Sequence, residues 1–308
     1  MSTPRRSPVA AAPGAGAAAA QAGQDTYLTW LYVPGDRPEV VAKALRSGAD
    51  VVLVDLEDAV APERKAYALA ATAELLAEPC PGPVPVHVRV NALAGPLADG
   101  ELRTLAPLPG LAGLRLPKTG GRQEVLRVAA TAQEARAQEA RAAAGVPPLY
   151  PLLESALGIE RAYEIAAAHP AVRGIALGEA DLRAELGVAD DAGLAWPRSR
   201  AVVAASAAGL APPAQSVYPD VADLDGLARS CAAGRALGFL GRTAIHPRQL
   251  PVIERAFLPT RQEVERAEEI AAAAAADAGA LALPDGRFVD AAVVAGARRT
   301  LGLARRLA

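Results

Sequence analysis

The chain has 308 residues, is 52% hydrophobic with 4% aromatic residues, and carries a formal net charge of −2. That length suits a barrel-sized domain with an extension, and the near-neutral balance excludes a basic nucleic-acid-binding surface. Cys80 and Cys231 are too few for a disulfide framework, no paired-cysteine zinc spacing occurs, and no apolar run approaches the ~20 residues of a membrane span. A cytoplasmic protein without a membrane partner is the expectation.

Residues 1–25 are rich in Ala, Pro and Gly. Arg5-Arg6 followed by alanines superficially resembles a twin-arginine export signal, but Pro8, Pro13, Gly14 and Gly16 interrupt the stretch and it lacks Leu, Ile and Phe. A disordered tail is expected. A first strand follows at 27–33, then the turn Pro34-Gly35-Asp36 and a helix over 38–47 that Gly48 ends. Further strands are expected at 51–55, 84–90, 111–118, 149–154, 172–181, near 214–218, and at 239–246. Helices are expected over 63–78, 122–144, 158–168, 180–186, 198–208 and 223–237, with 187–197 as a loop. Eight strands alternating with helices predict an α/β protein, a (β/α)8 TIM barrel, over residues 26–258. The remaining 259–308 read as a C-terminal helical extension, opened by the capping pair Thr260 and Glu263 and ending near Leu307.

Polar residues end these apolar runs: Asp55, Arg89, Lys118, Glu154, Asp181 and His246. In a parallel barrel all strand ends converge on one face, so the spacing predicts one site assembled from distant pieces. Glu154 and Asp181 end adjacent predicted strands, and strands ~4.8 Å apart let both carboxylates reach one ion. Two oxygen donors without a His or Cys partner suit a hard cation, best Mg²⁺, with Mn²⁺ as a substitute. An ion-paired or capping carboxylate is the bland alternative for each.

Asp55, Glu57 and Asp58 crowd three carboxylates into DLEDAV, which demands cations or donors nearby. They could hold metal-bound waters or orient arginines; an acidic helix N-terminus accounts for Asp58 well and Asp55 less well. Arg89 suits a carboxylate or an enolate oxygen, and a salt bridge to Asp55 or Glu57 is compatible with that role. Lys118 could be a point charge for an anion or a Schiff-base nucleophile; no adjacent cation is there to depress its pKa, which favours the point charge. His87 and His169 read as structural, His246 as a cap, and Ser155 has no nearby His to activate it. No nucleotide-binding glycine motif occurs.

Taken together, LYVPGDRPE (31–39), ADVVLVDLEDAVAPERK (49–65), VRVN (88–91), LPKT (116–119), LLESALGI (152–159), GEADL (178–182) and AIHP (244–247) resemble the citrate lyase beta-subunit-like family of CoA-ester lyases. That family belongs to the 2-oxo-acid aldolase/citrate lyase superfamily, and the resemblance spans residues 27–307. It implies that Glu154 and Asp181 are Mg²⁺ ligands, that Arg89 steadies the substrate oxyanion, and that Arg37 and Lys118 join Arg89 and Glu154 in binding substrate. Asp55, Glu57 and Asp58 would support them from behind. GRFVD matches a C-terminal family segment whose aspartate, here Asp290, reaches into the site of an adjacent subunit, implying a homotrimer or hexamer. The implied reaction cleaves or forms a short 3-hydroxyacyl-CoA, such as malyl-CoA or citramalyl-CoA, from acetyl-CoA and a 2-oxo acid through an enolate. A malyl-CoA-type thioesterase, an aldolase on free 2-oxo acids and a citrate lyase beta-like subunit needing partner chains are the alternatives. Leu28-Thr29 stand where relatives usually carry Arg-Ser, Ser155 where they carry Thr, and Leu69 where they carry Arg. Two cations are thereby lost, and the acyl carrier stays open.

Overall fold

Five apolar runs become the longer strands of one parallel sheet: β1 (Thr29–Pro34), β2 (Val51–Asp55), β3 (Val86–Arg89), β4 (Leu111–Leu116) and β5 (Leu149–Leu153). The computed structural model describes residues 26–139, 145–276, 281–282 and 286–307. The tail expected at 1–25 and the end of the helix expected through 144 lie outside them.

Near-continuous apolar strands need cover on both faces, and helices supply it on the outside. These are α1 (Pro38–Ala44), α2 (Lys65–Ala77), α3 (Ala98–Leu105), α4 (Arg122–Gln138), α5 (Ala156–Glu160) and α6 (Ala162–Ala166). Shorter strands β6 (Ala176–Leu177) and β7 (Arg242–Ala244) complete a seven-stranded sheet of order β6-β5-β4-β3-β2-β1-β7. Every pairing within it is parallel. The sheet curls as in a TIM-like barrel, with its main core of Leu, Val, Ala and Ile between strands and outer helices.

On the β6–β7 side the chain departs from expectation. The strand expected at 214–218 is reduced to single parallel bridges, Ala176 to Ala214 and Gln215 to Arg242. Pro212 and Pro213 just ahead of it lack ladder donors, which limits pairing there. The strand expected over 172–181 shrinks to two residues because Glu179 opens α7 (Glu179–Leu186), whose first turn gathers Glu179 and Asp181. Asp181 therefore sits on a helix, not at a strand end. The loop expected over 187–197 holds a short turn, and α8 (Ala195–Ala207) begins inside it. The helix expected over 158–168 is two short ones broken at Arg161.

Next come α9 (Leu224–Ala236) and the unanticipated α10 (Leu250–Phe257), then α11 (Arg261–Ala276). A small antiparallel pair, β8 (Leu281–Ala282) with β9 (Phe288–Val289), precedes α12 (Ala291–Ala304). The expected capping box is present: the Thr260 hydroxyl accepts the Glu263 N–H at 3.2 Å and Glu263 accepts the Thr260 N–H at 2.7 Å. Beyond α12, Arg306 donates to Asp50 at 2.5 Å, tying the end of the chain to the residue that leads into β2. No described helix is long and apolar enough to cross a membrane.

Candidate active site

The register across the sheet places Asp55 beside Arg89, and Arg89 beside Arg115. Asp55 is 2% exposed and organises the acidic turn that follows it, accepting the N–H groups of Glu57 at 2.9 Å and Ala59 at 3.1 Å. From the other side Arg89 grips Asp55 with two parallel bonds, Nε to Oδ1 at 2.7 Å and Nη2 to Oδ2 at 2.6 Å. Such a fork fixes the guanidinium plane as well as its charge. Burial works against the charge on Arg89, but the Asp55 bonds and the neighbouring anions outweigh it and hold the arginine more firmly protonated than usual.

The second amino group of Arg89 lies against the acidic turn. Its Nη1 lies 3.1 Å from Glu57 Oε2, an ion pair without hydrogen-bond geometry, and 3.2 Å from Asp58 Oδ2. Glu57 is buried and also meets the Lys118 ammonium at 2.9 Å. Desolvation pushes the Glu57 carboxyl up, opposed by Arg89 and Lys118. The bond from Glu57 raises the pKa of Lys118, so the lysine stays an ammonium, the opposite of what a Schiff-base nucleophile needs.

Three residues that the motif reading did not single out hold this turn in place. Lys65 Nζ donates to the carbonyls of Leu56 at 2.7 Å and Glu57 at 2.5 Å. Asn91 donates to the Leu56 carbonyl at 2.8 Å, and the buried Glu101 in α3 accepts from Asn91 at both backbone and side chain. Gly35 allows close approach, since a Cβ there would lie 2.8 Å from Leu56 Cδ2 and 3.1 Å from the Asp55 carbonyl.

Glu154 follows β5 and is 4% exposed. Its Oε1 accepts the backbone N–H of Lys118 at 2.5 Å, and Lys118 reaches that geometry with a left-handed backbone, φ +51°. On the other side Gly178 leaves space: a Cβ there would stand 2.4 Å from Glu154 Oε2. Burial pushes the Glu154 pKa up to about 7, and the Asp181 and Glu57 charges add to the rise against the Lys118 N–H. Asp181, exposed on the first turn of α7, makes no hydrogen bond or ion pair among the described residues, and its charge acts on Glu154. Its neighbour Glu179 is pinned by Arg198 through bonds of 2.9 and 2.6 Å, and the Glu179 N–H donates to Ser216 Oγ at 3.2 Å.

These groups suit a hard divalent cation. Asp55, Glu57, Asp58, Glu154 and Asp181 outnumber the cations Arg89, Lys118 and Arg115 around them, and the raised proton affinity that burial and nearby negative charge give Glu154 is relieved by a metal. Among the described residues no three His, Cys, Asp or Glu side chains converge on a complete cage. Glu154 and Asp181 would supply two ligands, leaving the remaining positions to water and substrate, as Mg²⁺ prefers.

The other expected residues fall as follows. Arg37 is exposed in the turn after β1, at the same end of the sheet, and forms no ion pair among the described residues. His246 caps a short turn by accepting the Arg248 N–H at 3.1 Å, and the Ser155 hydroxyl caps α5 by accepting the Gly158 N–H at 3.1 Å. Asp290 caps α12, its Oδ1 accepting from Ala292 and Val293 at 2.9 Å each. No hydrogen bond or ion pair among the described residues joins it to Glu154.

Residues 28–247 match the HpcH/HpaI aldolase/citrate lyase family. A (3S)-malyl-CoA thioesterase of Cereibacter sphaeroides is 34% identical, over 92% of this chain and 96% of the relative. Citrate lyase subunit beta of Escherichia coli K12 is 33% identical, over 91% and 93%. Among solved structures, the Mycobacterium tuberculosis protein CitE in complex with magnesium, acetoacetate and coenzyme A superposes with a TM-score of 0.75 at 31% identity, covering 91% of this chain and 98% of that one. The M. tuberculosis citrate lyase beta subunit complexed with oxaloacetate and magnesium gives 0.64 at 31% identity, over 76% and 98%.

Proposed function

The chain belongs to the HpcH/HpaI aldolase/citrate lyase family, and from that premise we propose a Mg²⁺-dependent carbon–carbon lyase. It cleaves or forms a short 3-hydroxyacyl-CoA of the malyl-CoA or citramalyl-CoA kind, with acetyl-CoA and a 2-oxo acid as the other side of the reaction. The observation that carries this reading is the buried Glu154 carboxylate, aimed by the Lys118 N–H and facing an unpaired Asp181. The solved relatives named for magnesium with acetoacetate, oxaloacetate and coenzyme A support it.

Bound to Glu154 and Asp181, the ion would act as a Lewis acid on the oxygens of a 2-oxo or 2-hydroxy acid. Arg89, locked in plane by Asp55, presents Nη1 to the negative charge that develops on the enolate oxygen; the group is already oriented, so little reorganisation is needed. Lys118 and Arg37 add positive charge on the substrate side, while Glu57 and Asp58 keep Lys118 and Arg89 in place. Asp290 is proposed as the proton donor to the acyl methyl carbon, acting in a neighbouring subunit of a homotrimer or hexamer. The exposed Phe288 two residues ahead of it is the kind of apolar contact such an interface would cover. The barrel of 26–258 would be closed through Ala214 and Gln215, with 259–308 as the extension that carries Asp290 across.

The similarity to (3S)-malyl-CoA thioesterases supports a second reading, in which the same site hydrolyses the thioester. One assay separates the two: short 3-hydroxyacyl-CoA esters incubated with Mg²⁺ and analysed by mass spectrometry. Acetyl-CoA with glyoxylate or pyruvate is expected; free CoA with the intact hydroxy acid supports hydrolysis. Glu154→Gln and Asp181→Asn should each abolish turnover, and full activity of either in chelator overturns both readings.

A further inference from the structure

Beside Arg89 in the sheet register lies a buried cation with no counter-ion among the described residues. Arg115, on β4, is 3% exposed, makes no ion pair among the described residues, and its Nε has no hydrogen-bond partner. The groups that act on it are Tyr32 and Tyr150, the like-charged Arg89, and Glu154 from beyond ion-pairing distance. Glu154 is already engaged by the Lys118 N–H. Beside this cation, His87 on β3 is 2% exposed and its Nδ1 is also unpartnered. Tyr150 stacks on His87 with ring centroids 4.7 Å apart, and the Arg115 guanidinium carbon lies 5.7 Å from the same ring.

The packing is built for these side chains. A Cβ on Gly113 would stand 2.8 Å from the Tyr150 ring and 3.0 Å from the His87 ring, so β4 gives up a side chain to admit both. A buried guanidinium without an anion is among the costlier arrangements in a protein, and a buried imidazole nitrogen without a partner adds to it. Ring faces offset part of the charge but give no acceptor to Nε. A water would satisfy Nε without balancing the charge; an anion does both.

We propose that the barrel interior under the Glu154 site binds a small monovalent anion, of halide to carboxylate size, held by Arg115 with the His87 Nδ1 as second donor. The site does not depend on which reaction the mouth catalyses. Two sources share the chemistry: a free inorganic or formate-like ion, and a distal carboxylate of an acid bound above.

Bromide is the probe. Crystals of the full chain soaked in sodium bromide should show an anomalous peak beside the Arg115 guanidinium. In solution the melting temperature should rise with bromide by roughly 2–5 °C per tenfold increase once the site begins to fill, relative to gluconate at equal ionic strength. Arg115→Met should flatten that difference; if this variant does not fold, the wild-type map and melts decide alone. Adding oxaloacetate separates the sources: loss of the bromide peak assigns the site to a substrate carboxylate, and its persistence assigns it to a free ion. Absence of a peak at Arg115, or a peak with identical melts in bromide and gluconate, overturns the proposal.

Discussion

The β1–β5 side of the curled sheet and the β6–β7 side contribute to the candidate site in different ways. On the first side, strands of four to six residues end in groups cross-linked at 2.5–3.2 Å, and Asp55, Glu57 and Glu154 are buried. On the second, a two-residue strand, glycines and a bridge-only segment carry an exposed Asp181 that no hydrogen bond or ion pair among the described residues holds. The difference teaches that the half proposed to stabilise an anion is fixed by the fold, whereas the second proposed metal ligand is positioned only indirectly, through Glu179, Arg198 and Ser216.

Substitutions can break or sharpen this contrast. Asp55→Ala strands a buried arginine and frees the acidic turn, and should cost about 3–5 kcal/mol of stability together with most of the activity. A chemical denaturation curve checks it, and a loss no larger than that of Asp181→Ala would erase the distinction between the halves. Gly178→Ala probes the seam, because its Cβ would displace the Glu154 carboxylate; Mg²⁺ affinity measured by calorimetry should fall about 10–100-fold.

Protons offer a subtler handle. With the Glu154 pKa raised to about 7, Mg²⁺ must displace a proton below that pH, so affinity should rise about tenfold per pH unit toward 7 and level off above it. The linked stability has the opposite sign. A carboxyl raised in the folded state favours folding fully below its unfolded pKa, and that contribution is lost as pH rises from about 4.5 to about 7. Metal-free protein should therefore weaken across that window, and Glu154→Gln should remove the slope. The smallest effect is expected for Ser216→Ala, which removes the acceptor for the Glu179 N–H. About 0.5–1.5 kcal/mol should be lost, with a lower Mg²⁺ affinity and the Arg89 side intact. An unchanged affinity would mean that Asp181 does not feel the 214–216 segment.

The contrast also explains what the sequence could and could not disclose. Asp55, Arg89, Lys118 and Glu154 were legible because each closes an apolar run, and one sheet direction makes run ends neighbours. Asp181 was legible as a residue and misplaced as an element, because two glycines and an acidic helix start look like the tail of a strand. Gly174 and Gly178 are there for close approach to Tyr150 and Glu154, a reason no local pattern contains. The buttressing by Lys65, Asn91 with Glu101, and Arg198 with Glu179 joins elements through contacts that spacing does not encode. Arg115 did leave a signal: a charged residue inside the apolar run LAGLRL, at an inward position of a strand.

Lys118 performs two tasks with separate atoms. Its side chain answers to Glu57, while its main-chain amide aims Glu154. A new side chain at this position could redirect the ammonium's assignment without unseating the carboxylate opposite, provided the residue tolerates a left-handed backbone. Asparagine and glycine meet that condition most easily. Position 118 is thus a natural dial for altering the charge offered to a ligand of the proposed site while Glu154 stays in register.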